Sequence, residues 1–353
     1  MLKSKSFWTN LAFQVAAVVL ALLFTTLVLL LAGAPPLEAF RNILVGSFGS
    51  TTKISDVLVS WIPLMLATTG LLVTFSAGLW NIGIEGQITL GAIFSTWLLK
   101  LLQSTSLPTP LILILAILAG MLGGALWAAL AGALKTFGGV NEIFGGLGLN
   151  FVATALTIWL IFGPWKRPGI GSMSGTEPFK EHLWLPLISG FRLSPWALLI
   201  AVVGVAVVYW LLQGTYFGLR LKAVGKNMRA AFMLGIPTSR YMMSAFMICG
   251  AFAGLAGAVQ VTAVYHRLIP SISSGYGYLG LLVAMLANYQ ILLAVPVALF
   301  FAALNIGSIQ LPIVLKLDSS LSGVLQGALV LFVLMMGGVR QRWQERQQKI
   351  HKA

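Results

Sequence analysis

A carboxylate and two amides lie between two long apolar runs in the stretch FSAGLWNIGIEGQITLGAIF (75–94). They belong to Glu85, Asn81 and Gln87, and glycines separate them. An ionisable group beside hydrocarbon is unfavourable, so such a group usually has a function: it binds an ion or proton, or lines a polar path. The stretch therefore predicts either a helix start or a polar route through an apolar protein.

A second polar pair, Asn141 and Glu142, precedes another apolar run, and Asn150 follows inside that run. In one interpretation Asn81 caps a helix whose first turn holds Glu85, because the helix dipole favours an anion there. In the other interpretation the motif lies deeper, at a broken helix, with Asn81 and Glu85 on one face. These five residues are our candidates for a translocation path or gate.

Catalytic motifs are missing from the sequence. Gly225-Lys226 is followed by Asn227 rather than by Ser or Thr, so it does not form a phosphate-binding loop, and neither H-E-x-x-H nor G-x-S-x-G occurs. The single cysteine, Cys249, excludes an intrachain disulfide and a cysteine metal site. We expect no catalytic residue, no metal and no cofactor in this chain. If ATP drives it, a separate subunit binds ATP and Mg²⁺.

Composition places the chain in a membrane. Of its 353 residues, 58% are hydrophobic and 8% are charged, whereas a soluble domain carries about 25% charged residues. A net charge of +14 would suggest nucleic acid in a soluble protein. Here the basic residues gather in loops and tails, where they set topology and meet anionic lipid. The membrane interpretation accounts for both features.

We predict an all-α polytopic membrane protein with about ten transmembrane helices, since each crossing needs about 20 apolar residues. The candidate spans are 11–33, 56–78, 83–102, 110–134, 140–163, 195–213, 241–264, 271–288, 290–309 and 319–338. The apolar core of the first span is longer than a signal-peptide core of roughly 7–15 residues, so we expect it to stay uncleaved. Glycine and polar residues interrupt the third and eighth spans.

Basic residues are densest in the loop 214–240 and the tail 339–353, so the positive-inside rule puts these segments and both termini in the cytoplasm. The loop 163–193 then faces outward. It is rich in turn-forming residues and contains Trp165, Phe179 and Trp184, which suit the headgroup level. It serves either as a solvated connector or as a docking surface for an external partner.

The basic loop contains a predicted short amphipathic helix, 228–234. Asn227 caps its start, Gly235 suits a left-handed stop, and Pro237 prevents continuation. Its apolar face comprises Met228, Ala231, Phe232 and Leu234. This helix either rests on anionic lipid or inserts into a cytoplasmic partner.

Four motifs in order resemble one family. They are GLWNIGIEGQITLGA (78–92), GGVNEIFGGLGLNFVA (138–153), FGLRLKAVGKNMRAAFMLGIP (217–237) and MICGAFAGLAGAVQV (247–261), followed by a glycine-rich entry at 275–281. From about residue 55 onward the chain resembles the permease subunits of bacterial ABC importers for simple sugars and nucleosides. The same branch includes ribose and branched-chain amino-acid permeases. The Asn141-Glu142 pair is most similar to the nucleoside type.

The resemblance implies that residues 1–353 form a single permease domain of a bacterial inner-membrane importer, with pseudo-symmetric halves. Its partners would be cytoplasmic ABC ATPase subunits, a second identical or related permease, and an external binding protein or lipoprotein. The segment 214–240 would be the coupling loop that enters the ATPase. Its implied coupling residues are Gly225, Asn227, Met228, Ala231, Phe232, Gly235 and Pro237.

A neutral solute such as a nucleoside or sugar needs hydrogen-bonding groups and an aromatic wall. The candidate contacts are Trp61, Thr68, Thr69, Tyr276 and Tyr278. The spacings Gly120–Gly124 and Gly250–Gly254 favour close helix packing instead. Two other functional classes stay open: an ion-coupled secondary transporter with Glu85 or Glu142 as its ion site, and a membrane-embedded enzyme or scaffold.

Overall fold

The computed structural model describes residues 22–31, 33–169 and 175–316, with single residues or pairs elsewhere between 16 and 339. Across these residues the chain is helical and contains no strand. The predicted all-α membrane fold is therefore confirmed. The helices are α1 (Leu22–Leu31), α2 (Pro36–Phe48), α3 (Thr51–Ser76), α4 (Ile84–Leu102), α5 (Thr109–Thr136), α6 (Glu142–Phe162), α7 (Pro195–Gly214), α8 (Tyr216–Lys226), α9 (Met228–Met233), α10 (Thr238–Val259), α11 (Tyr276–Leu286), α12 (Ile291–Ser308) and α13 (Gln310–Leu315).

Six helices in the described part are long and apolar enough to cross a membrane, or seven if the bent pair α1–α2 counts as one span. Predicted spans 2, 4–7 and 9 match helices α3, α5–α7, α10 and α12 within a few residues. The third, 83–102, coincides with α4, which is not among the six spanning helices. The eighth prediction, 271–288, was too long, because turns occupy residues 271–275 and α11 begins only at Tyr276. Parts of span 11–33 and most of span 319–338 lie outside the described residues.

The chain forms two compact units. The first comprises residues 1–54 and 300–353. Within it Leu29, Ala39, Ile43 and Leu311 form a small apolar core, and the Ser47 hydroxyl donates to the Ala303 carbonyl at 2.6 Å. The second unit, residues 55–299, contains the polar motifs and the basic loop.

Helices α3 and α10 lie at the centre of the second unit. Most of the apolar stretch of each helix is buried inside the protein, 89% in α3 and 72% in α10. In both α6 and α7 the buried share is 28%. The exposed large hydrophobic side chains of α5, α6 and α7 are Leu, Ile, Val, Phe, Trp and Tyr, which is the pattern of lipid-facing helices. The polar residues of the central helices are therefore enclosed by protein.

Glycines allow α4, α5 and α10 to touch backbone to backbone. An added Cβ at Gly124 would lie 2.7 Å from the Cα of Gly254, and one at Gly91 would lie 2.5 Å from the Gly254 carbonyl oxygen. An added Cβ at Gly120 would lie 3.1 Å from that same oxygen. The predicted close packing of Gly120, Gly124 and Gly254 is confirmed and holds α5 against α10, and Gly91, which was not predicted, brings α4 to the same place.

The loop 175–193 is attached to the segment that follows α10, residues 262–268. The Thr176 amide donates to the Leu268 carbonyl, the Phe179 amide to the His266 carbonyl, and the Leu185 amide to the Thr262 carbonyl, each at 2.9 Å. Trp184 stacks on the His266 ring with centroids 3.8 Å apart. Phe179 is buried and Trp184 is half-buried, so both pack within the protein rather than standing free as surface anchors.

Burial of the His266 imidazole lowers its pKa below the ordinary value of 6.5. The folded protein therefore favours the neutral ring, whereas the unfolded chain takes up a proton as the pH falls through about 6.5. Folding stability should decline below that pH and level off once the folded ring is also protonated. Replacing His266 with Asn, which tolerates the positive φ of 54° found there, removes this titration.

We expect the melting temperature of the purified protein to fall less between pH 7.5 and pH 5.5 in His266→Asn than in the parent. The exposed His182→Asn variant controls for loss of an imidazole in the loop that packs against this segment. An equal fall in the His266→Asn variant and the parent would show that protonation of His266 is not linked to folding.

Candidate functional site

Asn81 does not cap α4, so the first interpretation of the motif was wrong on this point. The residue preceding the helix is Gly83, which has no side chain that could cap the helix start. The Asn81 amide instead faces the Gln87 amide: Asn81 Nδ2 donates to Gln87 Oε1, and Gln87 Nε2 donates to Asn81 Oδ1, both at 2.9 Å. The oxygen of Asn81 therefore accepts from the Gln87 side chain rather than from the first backbone amides of α4.

This amide pair lies deep in the bundle. Asn81 Nδ2 also contacts Cys249 Sγ at 3.1 Å, and Cys249 is halfway along the 22-residue α10. At 1.5 Å per residue, the pair is about 17 Å from the start of that helix. Asn81 and Gln87 have exposures of 1% and 0%. After α3 ends, the chain therefore turns back into the bundle before α4 begins.

Asn150 of α6 caps α4 from outside. The Gly86 amide, in the first turn of α4, donates to Asn150 Oδ1 at 2.8 Å. Asn150 Nδ2 donates to the Ile82 carbonyl at 2.9 Å. The backbones of α6 and the α4 start also touch, since a Cβ on Gly146 would lie 2.6 Å from the Gly83 nitrogen. A neighbouring helix thus supplies the cap that the local sequence lacks.

Glu85 performs the same role for α11. The Tyr278 amide, in the first turn of that helix, donates to Glu85 Oε1 at 3.0 Å. The residue before α11 is Gly275, whose φ is +74°, and it offers no side-chain cap. The carboxylate also meets the positive end of the helix dipole. Glu85 is 7% exposed, so it is enclosed between α4 and α11.

Two tyrosines complete this polar cluster. The Tyr278 hydroxyl lies 3.3 Å from Asn150 Nδ2, and the Tyr276 hydroxyl lies 2.9 Å from Ser60 Oγ of α3. The side chains of Glu85, Asn150 and Tyr278 therefore connect α4, α6 and α11. We call these three residues the polar junction. Tyr278 is 43% exposed, and its partners in the junction are buried.

The remaining path candidates lie at the start of α6. Asn141 caps α6, as its Oδ1 accepts from the Ile143 amide at 2.9 Å. Glu142 forms an ion pair of 2.5 Å with Lys135, in the last turn of α5. These contacts fix the α5–α6 connection. The structure thus brings Glu85 and Asn150 together and places Asn141 and Glu142 in a separate local arrangement.

The predicted solute contacts also fall into two groups, one buried and one exposed. Trp61, Thr68 and Thr69 of α3 are buried, with exposures of 7%, 0% and 0%. Trp61 Nε1 donates to the Val295 carbonyl at 3.3 Å, and the Thr68 hydroxyl donates to the Leu64 carbonyl at 2.8 Å. In this conformation Tyr278 is the exposed member of the set. Contact of these residues with a solute stays a prediction.

The short helix of the basic loop has the predicted form. Helix α9 spans Met228–Met233, Asn227 Oδ1 accepts from the Ala230 amide at 3.0 Å, and Gly235 has a φ of +79°. Phe232 is 69% exposed. Ala231, which was also predicted on the apolar face of this helix, is buried instead.

The sequence analysis missed two features near α9. Met233 was not in the predicted apolar face, yet it is the most exposed apolar residue of the segment at 84%, ahead of the predicted Leu234 at 79%. Helix α8 was not predicted, although Thr215 gives a start signal and its hydroxyl accepts from the Gly218 amide at 3.1 Å. We call Met228, Phe232, Met233 and Leu234 the apolar knob.

Comparison with known proteins identifies the family. Residues 53–334 match the family described as branched-chain amino acid transport system / permease component. The chain belongs to this family of permeases. The glucose ABC transporter permease protein TsgB13 of Haloferax volcanii is 30% identical over 93% of this chain and 88% of its own. The guanosine ABC transporter permease protein NupP of Bacillus subtilis is 25% identical over 94% and 95%, respectively.

A third relative is the nucleoside ABC transporter permease protein NupB of Lactococcus lactis, 25% identical over 83% of this permease and 81% of its own chain. All three relatives are named as permease proteins of ABC transporters. The suspected family is therefore confirmed, and the chain is a multi-pass membrane permease.

The amide pair makes a prediction about stability. Replacing Gln87 with Ala leaves the buried Asn81 amide without the two hydrogen bonds it makes to Gln87. This loss should destabilise the permease by about 1–3 kcal/mol. Replacing Asn81 with Ala does the same to Gln87. The double variant should be less destabilised than the sum of the two single variants, because no orphaned amide remains. Equilibrium unfolding in detergent measures all four proteins, and strict additivity would contradict a direct amide pair.

Proposed function

We propose that this permease forms the translocation path of an ATP-driven importer for a small neutral solute, a nucleoside or a simple sugar. The names of the three relatives support this class. The described spans also contain few charges, which suits a neutral solute. The complex imports by alternating access, and it resides in the bacterial inner membrane with both permease termini in the cytoplasm.

The apolar knob carries the proposal. Its residues lie on or just after the short helix α9. Asn227 caps the start of this helix, and Gly235 in a left-handed conformation ends the segment. Basic residues surround it, including Arg229 and Lys226, whereas its tip is apolar and exposed. An exposed apolar tip on a rigid helix fits a groove on a partner. The partner we propose is the cytoplasmic ATPase, which binds the ATP and Mg²⁺ of the complex.

The two ends of α10 support this arrangement. The knob precedes the first residue of α10, and the loop 175–193 contacts residues 262–268 just beyond its far end. A helix from Thr238 to Val264 is about 40 Å long, enough to cross the membrane. The knob and the loop therefore lie at opposite ends of this span, which suits an ATPase on one side and an external binding protein on the other.

The polar junction is our proposed part of the path. Glu85 and Asn150 hold the starts of α4 and α11 inside the bundle, and the neighbouring Tyr278 is exposed. Helices that begin within a membrane protein are a common way of placing polar groups at a translocation path. A second permease, identical or related, completes the path.

The direct test is solute uptake by proteoliposomes. They contain the permease, the ATPase and any second permease encoded beside it, with the external binding protein added. Uptake of radiolabelled nucleosides or sugars should require ATP on the side of the membrane that carries the ATPase. It should survive a protonophore. Uptake that proceeds without the ATPase and stops with the protonophore would overturn the proposal in favour of ion-coupled transport.

A substitution in the knob tests the partner surface. Phe232→Asp places a charge in the apolar tip and should weaken ATPase binding by about 2 kcal/mol, or ~30-fold. Ile188→Asp is the matched control, since Ile188 is an exposed apolar residue in the opposite loop. Co-purification and titration of the ATPase measure the effect. Equal affinities for the two variants would show that the ATPase docks elsewhere.

A further inference from the structure

Two glycine backbones join the basic loop to the polar motif. Gly225, in the last turn of α8, lies against the turn that follows α3. A Cβ on Gly225 would lie 2.9 Å from the Gly78 nitrogen, and a Cβ on Gly78 would lie 3.0 Å from the Gly225 carbonyl oxygen. A side chain at Gly225 would overlap the backbone of the turn, and one at Gly78 would press on the Gly225 carbonyl, which would have to move by a few tenths of an ångström. We call this contact the glycine joint.

The glycine joint is next to the apolar knob. Gly225 is separated from the capping residue Asn227 by a single residue, and the Asn227 amide donates back to the Ala223 carbonyl at 3.1 Å. Leu221 and Val224 of α8 are buried with exposures of 0% and 2%. A short, capped and packed connection of this kind moves as one body with α9. The knob and the joint therefore belong to one packed segment.

The other side of the joint continues to the polar motif. The Gly78 amide donates to the Phe75 carbonyl at 2.9 Å, and the Leu79 amide donates to the Thr74 carbonyl at 3.0 Å. Leu79 is 1% exposed. Two residues later Asn81 pairs with Gln87 of α4. The turn is thus held by hydrogen bonds at both ends, between α3 and the start of α4.

From α4 the contacts continue to α11. Glu85, in the first turn of α4, holds the first turn of α11 through the Tyr278 amide. Asn150 holds α4 to α6 through the Gly86 amide. An unbroken series of backbone and hydrogen-bond contacts therefore links the knob with the polar junction.

We propose that the glycine joint transmits the movement of the apolar knob to the starts of α4 and α11. This rests on the proposed function, in which an ATPase moves the knob. Gly78 and Gly225 are positioning residues for the transport cycle: their close approach makes the two segments move together. A side chain at position 78 separates them and leaves the ATPase surface unchanged.

The test compares two matched variants, Gly78→Asn and Gly139→Asn. Both glycines lie in turns between helices and have positive φ values, +71° and +65°. Asn is the side chain that best tolerates this backbone conformation. A Cβ at Gly78 meets Gly225, whereas one at Gly139 has nothing within 4 Å. Backbone strain is therefore matched, and only the wedge at the joint differs.

We expect Gly78→Asn to bind the ATPase and hydrolyse ATP while transporting about tenfold less solute per ATP, a 1.4 kcal/mol loss of coupling. Gly139→Asn should keep the ratio of the parent. If Gly78→Asn transports as much solute per ATP as the parent, the proposed role of the glycine joint is overturned. The proposed function would stay intact. A parent complex without ATP-dependent uptake would instead overturn the proposed function itself.

Hydrogen exchange in the parent complex tests the joint without any variant. Binding of the ATPase and a non-hydrolysable ATP analogue should change the exchange of amides 79–86 along with those of α9. Protection of α9 with no change at 79–86 would show that the movement stops at the knob, and would overturn the proposal.

Discussion

The arrangement of the second unit depends on one constraint: a helix that begins inside an apolar bundle must still satisfy its first backbone amides. Helices α4 and α11 both begin this way, after glycines that offer no side-chain cap. Neighbouring helices supply the missing acceptors, Asn150 for α4 and Glu85 for α11. Each cap also ties two helices together. The polar groups that the chain keeps beside hydrocarbon are therefore needed by the backbone.

This constraint explains why the site occupies its position. Two helix starts with their positive dipole ends inside the protein form a polar region that lipid cannot reach. The glycine contacts of α4, α5 and α10 hold that region against the central helices. In our proposal, the same residues that stabilise the fold define the place where a polar solute meets the least unfavourable surroundings. Structure and transport would then share one set of side chains.

Sequence reasoning predicted the parts of this arrangement that depend on local pattern. Apolar length gave most of the long helices, and the Asn227, Gly235 and Pro237 signals gave α9. The Gly120 and Gly254 spacings predicted close packing correctly. Local signals also misled: Asn81 precedes an apolar run, like a cap, but its amide pairs with Gln87. No local pattern shows that a partner six residues later takes both hydrogen bonds.

Long-range pairing was beyond the sequence. Glu85 meets Tyr278 across 193 residues, and Asn150 meets Gly86 across 64. Nor does the sequence show that Gly78 and Gly225 touch, since each glycine alone reads as an ordinary turn or helix residue. Such contacts depend on how helices cross. They are also the contacts that connect the basic loop with the interior.

The most direct test of this account is amide hydrogen exchange at the start of α11 in three proteins: the parent, Glu85→Gln and Glu85→Leu. Gln keeps an acceptor oxygen for the Tyr278 amide, whereas Leu fills similar space without one. We expect parent-like protection of residues 276–279 in Glu85→Gln and markedly faster exchange in Glu85→Leu. Equal protection in all three proteins would contradict the claim that Glu85 caps α11, and with it the constraint on which the arrangement depends.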